Sequence, residues 1–214
     1  MIRQIVVSKQ YHWGAMYGKV DQLEGIYGSF ETEAGCFKTA AACAKGCAYC
    51  CTDAGRIHIT TLEGLAIQQA LQRLVKPQRM AVEKALAKDM RQRQRGLVSP
   101  CPFLMKSKAC MIYQRRPFAC RRIYSLETCG PQRPPILNRR VMELGADTIR
   151  TLQKLDDTGY SGHISFILYM LEVPSFRDTY LAGKFKPEEI ADFGKVHHIL
   201  INRLVSTNGD PHTL

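Results

Sequence analysis

Nine cysteines are the residues of this 214-residue chain with the most chemistry to offer. Four fall within nine residues, in CAKGCAYCC, at Cys43, Cys47, Cys50 and Cys51. Cys101, Cys110, Cys120 and Cys129 follow with eight or nine residues between neighbours, and Cys36 precedes them all. Thiolates are the soft ligands of zinc and of iron–sulfur clusters. Close spacing lets several converge without long-range folding, and the later cysteines can then close a cage as the chain returns. Structural zinc is usually held by C-x2-C pairs in a tetrahedral set, and no clean second pair is present. The adjacent Cys50 and Cys51 point in different directions unless the backbone turns sharply. That suits a cluster of several irons, or two neighbouring sites, better than one small ion. No histidine accompanies the cysteines; His58 is the nearest and reads as ordinary. Thiolate count and the lack of histidine therefore favour iron–sulfur over zinc. Cys36 and Cys129 lie outside the tightest pattern and read equally well as small buried residues.

An odd cysteine count in a chain of this length does not fit a secreted disulfide framework. Free clustered thiols point to a reducing compartment. The N-terminal MIRQIVVSKQYHWG has an apolar patch too short for a signal peptide. No apolar run approaches the roughly 20 residues of a membrane span. The chain is expected to be soluble and cytoplasmic, with no membrane partner. Its formal charge of +11 is concentrated: 17 Lys and Arg against 3 Asp and Glu lie between Arg73 and Arg140. A solvated basic face explains this, as does compensation of bound thiolates. Nucleic acid is a further partner to which a basic segment is open. It is not favoured, because no aromatic-interleaved RNA motif or zinc-finger spacing accompanies the charge.

The elements that must position these cysteines are mostly helices. Over residues 14–31, Tyr17, Val20, Leu23, Tyr27 and Phe30 fall at helical spacing, interrupted by Gly18, Gly25 and Gly28. RIHI (56–59) reads as a short strand or an extended lead-in. Thr60 and Glu63 form T-x-x-E, a capping box that opens a helix, and Pro77 should end it. A second helix is predicted over 78–95, with Val82, Leu86 and Met90 four apart. Residues 96–134, with five prolines, read as irregular, apart from a short helix opened by Pro117. A long irregular segment needs a reason to be ordered, and a metal supplies one. Leu137, Val141, Leu144, Thr148, Leu152 and Leu155 trace one later helix. Ile164, Ile167, Leu168 and Leu171 trace another, stopped by Pro174. Pro187 opens a last helix with Ile190, Phe193, Leu200, Ile201 and Leu204 inward. Strand signals are nearly absent. The expected fold is mainly α: a single domain over 1–214, with an irregular cysteine-rich metal-binding core at about 36–130 and a helical part at about 135–205.

Several separated blocks carry a family resemblance. CAKGCAYCC, then CPFL (101–104), then CMIYQRRPFACR (110–121) resembles the YkgJ-type cysteine-cluster family of zinc- or iron-chelating proteins. The match covers Cys43, Cys47, Cys50, Cys51, Cys101, Pro102, Leu104, Cys110, Ile112, Tyr113, Arg116, Pro117, Cys120 and Arg121. The three-residue gap between Cys43 and Cys47 departs from the commoner two-residue version. The resemblance implies a metal or iron–sulfur site on Cys43, Cys47, Cys50, Cys51, Cys101, Cys110 and Cys120. In it, Pro117 would aim Cys120, and Tyr113 would pack over the cluster. Arg116 and Arg121 would hydrogen-bond thiolate or sulfide charge, or hold an anionic substrate. The wider family includes a flagellin lysine N-methylase, so methyl transfer is an activity it implies, with S-adenosylmethionine (SAM) as cofactor. No Gly-rich strand–loop–helix accompanies that reading.

CAKGCAYC also resembles the C-x3-C-x2-C signature of radical-SAM enzymes, with Tyr49 as the aromatic before the last cysteine. That likeness would imply a partial (β/α) barrel, and no alternating strand–helix pattern follows Cys50. The expected function is a metal-binding protein holding an iron–sulfur cluster, [4Fe–4S] by preference, in a redox, structural or metal-handling role. A cluster-dependent enzyme acting on a protein or small molecule, and a structural zinc protein, are the alternatives. His163 in GYSGH reads as a helix-start residue and His197–His198 as packed or half-exposed. Asp156–Asp157 reads as a loop and Glu188–Glu189 as a helix first turn.

Overall fold

The computed structural model describes residues 16–44, 46–52, 57–184, 186–197 and 203–204. Those residues form ten α-helices, one 3-10 turn and three short strands, so the chain is mainly α, as its sequence predicts. The first helix, α1 (Met16–Glu33), buries Val20, Leu23, Tyr27 and Phe30 as one stripe. The side chain of Tyr17 lies outside the described residues. Two single-turn helices follow, α2 (Gly35–Lys38) and α3 (Tyr49–Thr52). Strand β1 (His58–Thr60) realises the RIHI reading; Arg56 lies outside the described residues.

The capping box forms as expected and starts α4 (Thr61–Gln72). The Thr60 hydroxyl accepts from the Glu63 amide, and Glu63 Oε2 accepts from the Thr60 amide at 2.8 Å. This satisfies two donors that a helix start otherwise leaves open. Pro77 does not end this helix, which stops at Gln72. It opens the next one, α5 (Lys76–Gln94), where its missing N–H costs nothing. Val82, Leu86 and Met90 are buried on α5.

Pro117 caps the short α6 (Phe118–Arg121), and Asn138 caps α7 (Arg139–Leu155). Strand β2 (Tyr160–His163) leads into α8 (Ile164–Glu172). Pro174 does more than stop α8: it begins a separate helix, α9 (Pro174–Leu181), absent from the sequence expectation. The last helix, α10 (Pro187–His197), buries Ile190 and Phe193. Leu204 was expected on its inner face. It instead lies in β3 (Arg203–Leu204), paired with Tyr160 of β2. His198, Leu200 and Ile201, and the N-terminal apolar patch, lie outside the described residues, as does the His197 side chain.

The three strands form one antiparallel sheet in the order β1-β2-β3, with His58 opposite His163 and Tyr160 opposite Leu204. No parallel strand pair exists among the described residues, so they contain nothing of a (β/α) barrel.

Helix α4 occupies the centre. It packs against α8 on one side and α1 on the other, while α1 also packs on α7 and α8 on α5 and α9. Leu65, Ile67 and Leu71 join one apolar cluster with α5, α8, α9 and α10. Leu62 and Ala66 join a second with α1, α6 and α7. Being sandwiched explains why α4 is buried nearly all round, Glu63 and Gln68 included. The crossing with α8 is close enough to require Gly64. A Cβ there would stand 2.8 Å from Ile167 Cγ2 and 2.9 Å from Leu171 Cδ1. Among the described residues no helix is long and apolar enough to cross a membrane.

Candidate metal centre

Two halves of the cysteine-rich segment are stitched together by backbone bonds. The first half turns tightly. Cys47 N–H donates to the Ala44 carbonyl, and Gly46 holds φ +90, a left-handed value that glycine adopts without strain. Helix α3 then carries Cys50 and Cys51 on a single turn. The sharp backbone turn that adjacent cysteines require is therefore helical. The second half begins at Cys101, whose amide donates to the Cys51 carbonyl at 2.7 Å. Leu104 and Cys110 form an isolated antiparallel bridge, flanked by Met105 N–H to Ala109 O and Met111 N–H to Phe103 O. This closed turn returns Cys110 toward Cys101, with Phe103 and Ile112 buried beneath. A 3-10 turn (Tyr113–Arg115) and α6 then bring Cys120 in.

Each arriving segment is tied to the helical core by a buried acid or a backbone anchor. Glu63 is fully buried and accepts three hydrogen bonds. Oε1 takes the Tyr27 hydroxyl and the Phe118 amide, both at 2.7 Å, and Oε2 takes the Thr60 amide. One carboxylate thus joins α1, α4 and the start of α6, two residues before Cys120. Burial pushes its pKa up, while these donors oppose the shift.

Asp89 of α5 plays the same part for Cys101. It accepts from Arg93 Nε at 2.9 Å, from Ser165 Oγ at 2.6 Å and from Ser99 Oγ. The outer edge is fixed through Ser125. Its carbonyl accepts from Ala42 N–H, its amide donates to Cys43 Sγ at 3.2 Å, and its hydroxyl accepts from Ile136 N–H.

The electrostatics divide the thiols into two groups. Cys50, Cys51, Cys101, Cys110 and Cys120 act on one another. Burial raises the Cys120 pKa well above the ordinary thiol value, and the charges of Cys101, Cys50 and Cys110 raise it further. Cys101 is pushed up to about 12, first by burial and then by Cys110, Asp89 and Cys50, against a bond from the Phe103 amide. Cys110 is raised by burial, with its Ile112 amide bond and the Arg116 charge opposing. Cys51 is raised chiefly because it hydrogen-bonds Cys50, and Cys50 is lowered by the same bond. Burial also raises Cys43, which feels Cys47, Cys129 and Cys50. Cys43 and Cys47 are exposed, so with Cys129 they form an outer rim. Cys36 is exposed and its sulfur contacts the Glu33 carbonyl.

Free thiols with raised pKa values stay protonated at neutral pH. A thiophilic metal displaces those protons and supplies the positive charge that the buried set lacks. The donor set of five mutually sensed thiols, without histidine, fits such a group chemically. Among the described residues no three His, Cys, Asp or Glu side chains stand close enough to hold a single metal ion.

The three non-cysteine residues assigned to the bound group fall in different places. Arg116 reaches the thiols through its charge, lowering Cys110. Its guanidinium also covers the Tyr113 ring at 4.1 Å. Tyr113 is 54% exposed, with that ring face covered by Arg116. Arg121 is buried and directed at α1. Nη1 pairs with Glu31 at 2.7 Å, Nε and Nη2 donate to the Arg116 and Gln114 carbonyls, and the guanidinium covers the Tyr27 ring. Each of its nitrogens is engaged within the fold, which makes it a clamp on the loop. His163 caps α8, its Nδ1 accepting from the Ser165 amide at 3.3 Å.

Sequence reasoning passed over Asp89, and it read Glu63 only as a cap. A lone acid inside the basic stretch 84–95 was the available signal for Asp89. Arg122 was also missed, although it directly follows the motif.

Fold and site together define a helical scaffold that carries two separated blocks of cysteines. A family model with the description "CxxCxxCC: Putative zinc- or iron-chelating domain" matches residues 42–137. That segment is similar to the cysteine-cluster family that the motif blocks resemble. Its limits have a structural counterpart, since Ala42 and Ile136 are both hydrogen-bonded to Ser125. No curated protein and no solved structure matches the chain.

Proposed function

We propose that the protein carries a [4Fe–4S] cluster on four of the five inner thiols, Cys50, Cys51, Cys101, Cys110 and Cys120. Cys43 and Cys47 stand at its outer edge. The observation that carries this reading is the convergence of four chain segments on one thiol neighbourhood, closed by the Cys101 amide on the Cys51 carbonyl. Thiolate count and the absence of histidine from the set support iron–sulfur over zinc. When bound, such a cluster supplies one-electron chemistry at a potential set by its hydrogen bonds and exposure. The half-buried inner cysteines and exposed rim leave a path of short distance to a partner, which suits electron transfer. The Arg116 charge favours the anionic state of the thiolates and so of the cluster.

Single Cys→Ser substitutions test the ligand assignment. At least two of Cys101→Ser, Cys110→Ser and Cys120→Ser should reduce bound iron to less than about half, since only one of the five inner thiols is spare and removing one of four thiolates leaves an incomplete set. Cys36→Ser should leave iron content and the visible spectrum unchanged. Full iron occupancy in two or more of the three inner variants would refute the assignment. Stoichiometric zinc with no sulfide would replace the cluster by a structural zinc site.

A further inference from the structure

Beside α6 lies a cavity of about 330 Å³. That volume is in the range of small-molecule sites, about 300–1,000 Å³. Its walls come from β1, α4, α6, α7 and β2. Phe118, Ala119, Ile149 and Leu152 form an apolar side, and much of the rest of the wall is polar, with His58, Arg122, Gln153 and Ser161.

Arg122 is the unusual member. Its Nε is buried without a hydrogen-bond partner, and its side chain makes no ion pair among the described residues. Every neighbouring arginine of the motif is paired: Arg115 with Glu24, and Arg116 and Arg121 with Glu31. Arg122 as a whole is half-buried, and a buried donor of a cation left unsatisfied is costly unless something anionic meets it. Burial lowers the Arg122 pKa, as expected for a cation without a counter-charge.

The acid in the same wall does not serve. Both oxygens of Glu63 are committed to Tyr27, Phe118 and Thr60. Gly145 of α7 lies beside the Arg122 side chain, at ordinary contact distance. A Cβ at Gly145 would stand 3.5 Å from Arg122 Cδ and 3.9 Å from Nη1.

We propose that this cavity binds a small carboxylate with an apolar body, its carboxylate paired to the Arg122 guanidinium and its body against Phe118, Ile149 and Leu152. A guanidinium presents parallel N–H donors that match a carboxylate in two bonds; inorganic phosphate can make the same pair but has no apolar body for the wall, and a neutral amide lacks the charge. Gln153 adds an amide at the same wall. The site uses no cysteine and does not rest on the metal reading. It does adjoin it, because Phe118 and Ala119 lead directly to Cys120 on α6.

Titration of the metal-loaded protein with phenylacetate, phenylpyruvate, phenylacetamide and inorganic phosphate tests this. Binding is followed by calorimetry and by the Arg122 Nε–H resonance of the wild-type protein. The two acids should bind saturably and shift that resonance. Phenylacetamide and phosphate should bind at least about tenfold more weakly. Arg122→Gln should weaken both acids by at least about tenfold while iron or zinc content stays at the wild-type level. Ile149→Phe, which fills the cavity, should weaken them too. The proposal is overturned if neither acid binds, if amide or phosphate binds as tightly as the acids, or if the Arg122 resonance does not move at saturation.

Discussion

Replacing Glu63 by glutamine is the sharpest test of how the helical core holds the cysteine segment. The carboxylate accepts from Tyr27, Phe118 and Thr60, and hydrogen bonds to a charged group contribute about 1.5–3 kcal/mol each. A glutamine oxygen can still serve the two donors on Oε1. Its NH2 then faces the Thr60 amide, donor against donor, and that bond is lost. Removing a buried charge, whose pKa burial has already raised, offsets part of the loss. The net destabilisation should be about 1–3 kcal/mol, a fall in Tm of roughly 2–10 °C for a chain of this size. Glu63→Leu leaves all three donors unsatisfied, at about 1–3 kcal/mol each, which approaches the whole stability of a typical domain. The leucine variant should therefore melt at least twice as far below wild type as the glutamine variant. It should also lose bound metal, because Phe118 loses the anchor that sets α6. Thermal denaturation by circular dichroism, with metal analysis of each variant, makes the comparison. A glutamine variant that melts at or above wild type would refute the clamp, and so would a leucine variant no worse than glutamine.

Three further outcomes follow from other parts of the fold. Burial pushes Glu172 up to about 7, with Arg177 and the Gln68 amide opposing. Its unfolded value is about 4.3, so charging it costs stability progressively as pH rises from there to about 7, and the cost is constant above. Glu172→Gln should thus raise Tm more at pH 8.5 than at pH 5, and an equal or opposite effect would contradict the burial argument. Gly64→Ala places a methyl against Ile167 and Leu171 and should cost about 1–3 kcal/mol by overpacking; an unchanged urea midpoint would mean that α4 and α8 do not cross so closely. Asp89→Asn turns one of its two acceptor oxygens, Oδ1 for Ser99 or Oδ2 for Arg93 and Ser165, into a donor NH2 and removes the charge, so amide exchange should accelerate at Ser99 and Cys101 while α10 is unaffected. Protection unchanged at Cys101 would separate Asp89 from the cage.

Much of this was legible because local signals carry their own physics. Thr60 and Glu63 announce a helix start whatever the tertiary context, and Val82, Leu86 and Met90 mark one face of α5 by spacing alone. Pro117 opens α6 where expected. Pro174 was half read, since it stops α8 and also opens α9, while Pro77 was read as ending α4 and only opens α5. Leu204 misled because an apolar residue in a short run fits a helix face or a strand alike. Its pairing with Tyr160 depends on a partner 44 positions away.

The cysteine blocks were visible as motifs, yet their partition was not. Nothing in the spacing sets Cys43, Cys47 and Cys129 at a rim and Cys101, Cys110 and Cys120 inside. That depends on the Cys51–Cys101 and Ala42–Ser125 backbone bonds. Arg121 and Arg122 are adjacent and alike in sequence. Only the placement of Glu31 makes one a clamp and leaves the other facing a cavity.

Iron, acid-labile sulfide and zinc, measured together on protein purified without oxygen, address the central claim most directly. The account predicts about four iron and about four sulfide per chain, with the broad visible absorption of thiolate-ligated iron that bleaches on reduction. One zinc per chain with neither iron nor sulfide, or a protein that folds fully and binds no metal, would contradict it.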